Sequence, residues 1–343
     1  MRYRTLPNSE ITVSEVGFGL WTTATGWWGE HTDDDAVAML REALDLGITM
    51  FDAADTYGDG RSEEQLATAF GDRREQVVYA TKFGYDWYHH AGERKGQNEI
   101  AQDFSPGFVR FALEQSLRRL QTDYVDVYQM HNARMEQVLD GSLFALLDAF
   151  KAEGKIRTWG VALGPAIGWL WEGIEAARRN VPMVQMIWNM LEPYPGDEMI
   201  AAAREADADT TYFIRVPHSS GMLEGHYTKD TVFPPTDHRS HRPRSWLING
   251  MQKVERLRFL EQPGRTLGQA AIQWLLAEPR VMTVLPNIYD RDQLREFAAA
   301  PDTPRLTADD MTRIAELAAE NFGIGPEASR YKGTMTPPEP THA

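Results

Sequence analysis

The sequence predicts an α/β chain folded as a (β/α)8 barrel of the TIM type, and three observations carry that prediction. Short β-rich apolar runs alternate with amphipathic stretches almost from end to end. Eight such pairs fit into 343 residues, and a hydrophobic content of 42% is ample for one large core. No strand-like run opens into a G-x-G-x-x-G turn, which disfavours an open doubly wound sheet.

In order, strands are expected over residues 15–18, 49–52, 77–82, 125–130, 158–161, 183–188, 211–216 and 281–285. Helices are expected over 33–46, 62–70, 106–120, 141–152, 168–178, 196–206, 266–277 and 291–299. Apolar residues three and four apart define a buried face on each helix; in the third these are Phe111, Leu113, Leu117 and Leu120. Strand–helix alternation implies parallel strands joined by right-handed crossovers. Three segments break the beat: long loops after strand 3 (84–104) and strand 7 (217–263), and a Pro-containing tail from about 322. No linker separates a second domain, so residues 1–343 are read as one. Loops after barrel strands lie on the face that carries chemistry.

Composition narrows the function. A formal charge of −15 repels phosphates, which argues against nucleic acid or an anionic membrane as partner. The absence of cysteine removes disulfides, thiolate nucleophiles and Cys-based zinc sites. His238 and His241 have no third ligand at a suitable spacing, so no metal is expected. Residues Met1 to Thr5 run into polar turn residues without an apolar secretion segment, and no apolar run approaches membrane-spanning length. The expected setting is the cytoplasm and the expected partner a small molecule, with self-association left open.

Four ionisable residues fall at or just beyond neighbouring strand ends. Asp52 ends the second strand and Tyr57 follows it; Lys82 ends the third and His131 the fourth. A tyrosine, with an ordinary pKa of about 10, is a poor proton shuttle at neutral pH. A nearby ammonium favours its charged form, a carboxylate holds that ammonium in place, and a histidine can orient a carbonyl oxygen. Singly, each is more simply a cap, an ion pair or core packing. Together at one rim they point to proton transfer.

Here the sequence resembles the aldo-keto reductase superfamily over about Tyr3 to Phe322. The run Asp52-Ala53-Ala54-Asp55-Thr56-Tyr57-Gly58 followed by Ser62-Glu63 is similar to that family's signature. So are Thr81-Lys82-Phe83-Gly84 and Asp123-Tyr124-Val125-Asp126 leading to Gln129-Met130-His131-Asn132. The resemblance implies an oxidoreductase that interconverts an aldehyde, ketone or sugar with its alcohol by hydride exchange with NADP or NAD. It makes Tyr57 the proton donor or acceptor, tuned by Lys82 and Asp52, and makes His131 the residue that positions the substrate oxygen.

The same resemblance implies cofactor contacts from Gln185, Arg215, Pro217, Asn287, Tyr289, Gln293 and Glu296, with Asn189 beside them. Two places depart from the pattern. Where the family usually has a Ser-Asn pair, this chain has Ala162-Leu163, which offers no side-chain hydrogen bonds. At the turn after strand 8, Asn287 and Tyr289 stand where NADP-preferring members carry a basic residue, and Asp290 would oppose a 2′-phosphate. The basic run His238 to Arg244 pulls the other way, because the resemblance folds the seventh loop over the pyrophosphate. The choice between NAD and NADP stays open.

Trp21, Trp28, Trp87, Tyr88 and Asn132 are expected to face the substrate, because aromatic walls with polar edges suit sugars and aromatic carbonyls. His218 is read as lining either ligand. The charged stretch Glu93, Arg94, Lys95 and Glu99, with His89-His90, is read as a flap. Two other functions compete: a cofactor-binding regulatory subunit of the potassium-channel β type, and a redox-neutral epimerase or dehydratase with tightly held nicotinamide.

Overall fold

The computed structural model describes residues 1–90, 99–164 and 169–325. It opens with an antiparallel hairpin, β1 (Tyr3–Thr5) and β2 (Thr12–Ser14), in which Tyr3 pairs with Ser14. Eight parallel strands follow: β3 (Phe18–Gly19), β4 (Met50–Asp52), β5 (Val78–Phe83), β6 (Val125–His131), β7 (Ile156–Ala162), β8 (Met183–Ile187), β9 (Thr211–Arg215) and β10 (Val281–Leu285). Each pairs with its neighbour in sequence.

The barrel closes where residues 15–17 meet β10: Gly17 N and Val284 N donate to Val284 O and Glu15 O, both at 2.9 Å. A side chain at position 17 would put its Cβ 2.7 Å from Leu285 Cδ2, so any larger residue at the seam would make the Leu285 side chain shift. The expected strand over 15–18 is therefore split between this seam and the short β3.

The helices of the barrel's outer layer are α2 (Asp33–Asp45), α3 (Arg61–Phe70), α4 (Pro106–Leu120), α6 (Gly141–Ala152), α7 (Leu170–Arg178), α8 (Gly196–Glu205), α10 (Leu267–Leu276) and α11 (Arg291–Ala299). Their starts are written in the sequence: Thr32 caps α2, Ser105 with Pro106 starts α4, and Thr266 with Gln269 forms a capping box for α10. On α4 the buried face is Val109, Leu113, Leu117 and Leu120; Phe111 lies one position off it and is exposed, against the sequence expectation. No helix among the described residues is long and apolar enough to cross a membrane.

Four helices were not foreseen: α1 (Trp21–Ala24), α5 (Met135–Leu139), α9 (Arg244–Leu257) and α12 (Ala308–Ala319). The segment 217–263 is thus no plain loop. Leu247, Val254 and Leu257 of α9 pack with Met222, Leu223 and Leu260, a helical stripe diluted in sequence by its polar neighbours. Phe322 joins that cluster, so the expected tail starts as core; residues 326–343, with the flap residues Glu93, Arg94 and Lys95, lie outside the described residues.

The hairpin plugs the lower end of the barrel. Leu6, Ile11 and Val13 pack against Met50, Val78, Val127, Met183 and Phe213, each worth about 1.5–3 kcal/mol of burial. Arg4 pins the plug by donating to Val281 O at 2.7 Å and pairing with Glu15 at 2.9 Å. Side chains alternate across a strand, so the next inward positions above these apolar layers are Asp52, Lys82, Gln129 and His131, Gln185 and Arg215. On β7 the same parity gives Gly160 and Ala162, small residues that leave room above the core.

Candidate active site

The top inward layer of the barrel is a hydrogen-bonded polar floor. Lys82 Nζ donates to Asp52 Oδ2 at 2.7 Å and to Ala53 O at 2.8 Å. Gln129 and Gln185 both give their amide N–H groups to Asp52 Oδ1, at 3.0 and 2.9 Å, and Gln185 also reaches Gln129 Oε1 at 3.1 Å. All four side chains are buried. Burial alone would lower the Lys82 pKa, but the Asp52 carboxylate and the Tyr57 hydroxyl outweigh it, and the pKa is raised. Lys82 is thus held as an ammonium, 4.8 Å from the centre of the Tyr57 ring.

Tyr57 is set over this floor by a tight turn. Ser62 Oγ donates to Ala54 O at 2.9 Å, and Ser62 N to Tyr57 O at 3.2 Å. Gly58, at φ +62°, presses so closely on α1 that a Cβ would fall 2.5 Å from Ala24 O. His131 stands edge-on to Tyr57, ring centres 5.8 Å apart, and edge-on to Tyr85 at 5.0 Å. Asn132, at φ +52°, donates to the Tyr85 hydroxyl at 2.7 Å, which in turn reaches Glu99 at 2.8 Å.

These residues surround a cavity of about 410 Å3 that opens upward. Its walls include Trp21, Trp27 and Trp28 from the first loop, Trp169, and His238 from the seventh. The two loops are clasped together: His238 N donates to Trp27 O at 2.9 Å, and its ring lies 5.0 Å from Trp21 and 5.5 Å from Trp27. Arg239 lies over Trp28 at 4.5 Å. Val216, which also lines the cavity, sits at φ +56°, a costly conformation for a β-branched residue. Asn189 holds that segment by donating to Val216 O at 3.2 Å and to Glu192 at 3.0 Å.

The expected cofactor residues divide. Gln185, Arg215 and Asn287 line the cavity. Tyr289 stacks on Trp28 (5.8 Å, 20°), and Gln293 donates to Glu224 Oε2 at 2.9 Å. Glu296 accepts from Thr266 at 2.5 Å, and Pro217 is buried beneath the strained turn. None of these four lines the cavity. Of the basic run, Arg239 is committed to Asp237 at 2.6 Å and Arg244 donates to Thr231 O at 2.9 Å; outside the run, Arg291 and Arg295 pair with Glu42 at 3.1 and 2.7 Å.

Of the expected substrate residues, Trp21, Trp28 and Asn132 line the cavity, but Trp87 and Tyr88 do not. Those two rings pack against each other, tilted, at 4.4 Å, and Arg119 donates to the Tyr88 hydroxyl at 2.9 Å, bracing the third loop against α4. His218 is core: its ring lies 4.4 Å from Phe297 and its Nε2 meets Gly268 O at 3.0 Å. Sequence reasoning missed Gln129, which inward parity alone marks, and Glu224, which no local pattern marks. Burial pushes the Glu224 carboxyl up to about 7, against the lowering effect of Gln293 and Arg239.

A model of the aldo/keto reductase family matches residues 15–319. The uncharacterized oxidoreductase YqkF of Bacillus subtilis is 29% identical over 320 residues, covering 92% of this chain and 95% of the relative. The glycerol dehydrogenase AKR11B4 from Gluconobacter oxydans overlays with a TM-score of 0.77 at 25% identity, over 93% of this chain and 95% of that one. The holo form of the aldo-keto reductase AKR11C1 from Bacillus halodurans overlays at 0.74 with 27% identity, over 92% and 96%.

Proposed function

This chain belongs to the aldo/keto reductase family, and on that premise we propose that it is a nicotinamide-dependent oxidoreductase that interconverts a carbonyl compound and its alcohol. The observation that carries the reading is the buried Lys82–Asp52 pair beneath Tyr57 with His131 alongside, at the floor of an open cavity. A cavity of about 410 Å3 suits a nicotinamide ring together with a small carbonyl substrate.

Gln185 and Asn287 on the wall would hold the nicotinamide end, and Tyr289, Gln293 and Glu296 the adenosine end. When bound, the reduced nicotinamide supplies a hydride to the carbonyl carbon. Tyr57 delivers its hydroxyl proton to the carbonyl oxygen, and the Lys82 ammonium steadies the negative charge left on the phenol. Asp52 keeps Lys82 charged and in place. His131 directs the carbonyl oxygen toward Tyr57, and the tryptophan walls exclude water. In the oxidising direction Tyr57 accepts the alcohol proton.

Where the adenosine would lie, Asp290 and Glu296 offer carboxylates, while Arg239, Arg291 and Arg295 are already paired. This charge favours NAD(H), whose ribose carries a hydroxyl, over the 2′-phosphate of NADP(H). Fluorescence titration with NADH and NADPH tests the assignment, followed by turnover on a panel of carbonyl compounds by wild type and Tyr57→Phe. NADH should bind more tightly, and Tyr57→Phe should cut kcat about a thousand-fold with cofactor binding intact. Failure of both cofactors to bind would remove the reading.

A further inference from the structure

Gln129 is fully buried in the floor and does not line the cavity. The steps proposed for Tyr57, Lys82 and His131 give it no part. It stands on β6 in register with Lys82 of β5 on one side and Gly160 of β7 on the other. Gln185 stands on β8, in register with Ala162 of β7. The two glutamines are thus two strands apart, with β7 between them. They meet because β7 puts only a glycine and an alanine at this level. The alanine that leaves the wall without a side-chain hydrogen bond therefore also leaves room for Gln129 to reach Gln185.

The Asp52 carboxylate decides which way both amides face. A carboxylate only accepts, and Asp52 Oδ1 is met by Gln129 Nε2 at 3.0 Å and by Gln185 Nε2 at 2.9 Å. Turning either amide over would set oxygen against oxygen. With both nitrogens on Asp52, Gln129 Oε1 faces Gln185 Nε2, which donates to it at 3.1 Å. An amide nitrogen has two hydrogens. Gln185 gives one to Asp52 and the other to Gln129, and has no N–H left. What remains is its Oε1, which accepts from no described residue, on a side chain that lines the cavity. Toward a ligand, Gln185 is an acceptor only. With an apolar residue at position 129, the second N–H would be free to turn to the cavity, and Gln185 could donate there as well.

We propose that Gln129 is a positioning residue: by taking the second N–H of Gln185 it makes Gln185 a pure acceptor, and so selects a ligand group that donates at that point of the wall. The proposal rests on the oxidoreductase reading, in which Gln185 faces the nicotinamide end of the cofactor. The carboxamide on that ring has both an NH2 group and a carbonyl oxygen. A wall residue able to donate or accept would admit either end of it, in orientations half a turn apart. A pure acceptor admits only the one with the NH2 group toward Gln185. Ala162 and Leu163 add no side-chain hydrogen bond to this choice. The lock shares its anchor with the proton-transfer machinery, because the other oxygen of Asp52 holds Lys82 at 2.7 Å.

The test is calorimetric binding of two cofactor analogues, in whichever of the NAD and NADP forms wild type binds more tightly. The thionicotinamide analogue keeps the NH2 group; the 3-acetylpyridine analogue replaces it with a methyl group that cannot donate. Wild type should bind the first about ten-fold or more tightly than the second, which leaves the Gln185 oxygen unpaired. Gln129→Met should bring that ratio below about three. Gln129→Glu is the rescue: beside the Asp52 carboxylate it is protonated at pH 6, and its O–H and C=O take the places of the amide N–H and C=O. At that pH its ratio should stay near that of wild type. Urea unfolding shows that each variant is folded, and wild type with Gln129→Glu still decides the matter if Gln129→Met is not. A wild type indifferent to the missing NH2 group, a Gln129→Met that keeps the wild-type ratio, or a Gln129→Glu that loses it at pH 6 would each overturn the proposal. A wild type that binds neither cofactor nor either analogue would overturn the oxidoreductase reading itself, which sets that failure apart.

Discussion

At the floor of the cavity, Asp52, Lys82, Gln129 and Gln185 are joined by hydrogen bonds of 2.7–3.1 Å, and every one of them stands on a barrel strand. At the rim, Trp21, Trp27 and Trp28 meet His238 and Arg239 through ring contacts of 4.5–6.2 Å, and all five stand on loops or a short helix. The floor inherits its geometry from strand register, and any slip would turn its side chains out of the barrel. The rim has no such constraint, because aromatic faces tolerate shifts that a buried ion pair does not. On the proposed reading, chemistry sits where register is fixed, and substrate fit where packing can be retuned.

Breaking the floor gives the largest effect. Lys82→Met should reduce kcat/KM by a thousand-fold or more. It should also cost roughly 3–5 kcal/mol in denaturant unfolding, because Asp52 is left buried without its partner. A double variant, Lys82→Met with Asp52→Asn, should recover much of that stability and none of the activity. If Lys82→Met alone unfolds no more easily than wild type, the floor is not the rigid half of the comparison.

The rim should respond differently. Trp27→Ala opens the clasp with His238 and should raise KM roughly ten-fold with kcat within about three-fold, because packing around the substrate is lost while the proton donor stays in place. A collapse of kcat comparable to that of Lys82→Met would show that the rim also positions the chemistry.

Glu224, where the seventh loop meets the turn after β10, sharpens the comparison by pH. Its folded pKa of about 7 lies above the ordinary carboxyl value of 4.5, so the folded state binds the extra proton. The stability this provides is full below about pH 4.5 and is lost as pH rises toward 7, by up to about 3 kcal/mol. Glu224→Gln should flatten that slope in urea titrations at pH 5 and pH 8. A wild-type slope unchanged by the substitution would place the titration elsewhere. His218 has the opposite sign: burial depresses its pKa to about 4, so its contribution is lost only as pH falls below the ordinary histidine range.

Strand alternation and the run from Asp52 to Tyr57 made most of the fold and the floor legible in the sequence. Gln129 was missed: it shares the inward parity of Val127 and His131, but an uncharged amide gives no chemical signal by itself. Trp87 and Tyr88 misled because aromatic residues in a loop brace it as often as they line a pocket, and here Arg119 draws them outward. The hairpin was invisible because three-residue strands carry too little periodicity. Glu224 was invisible because its burial is made by residues 65 to 69 positions away, Tyr289 and Gln293.

The hairpin that plugs the lower end has a consequence for traffic. With Leu6, Ile11 and Val13 stopping one end of the barrel, nothing passes through it, and the mouth is both entrance and exit. Two guests that share such a vestibule must queue: the one seated deeper arrives first and departs last, and the departure of the second holds back the first.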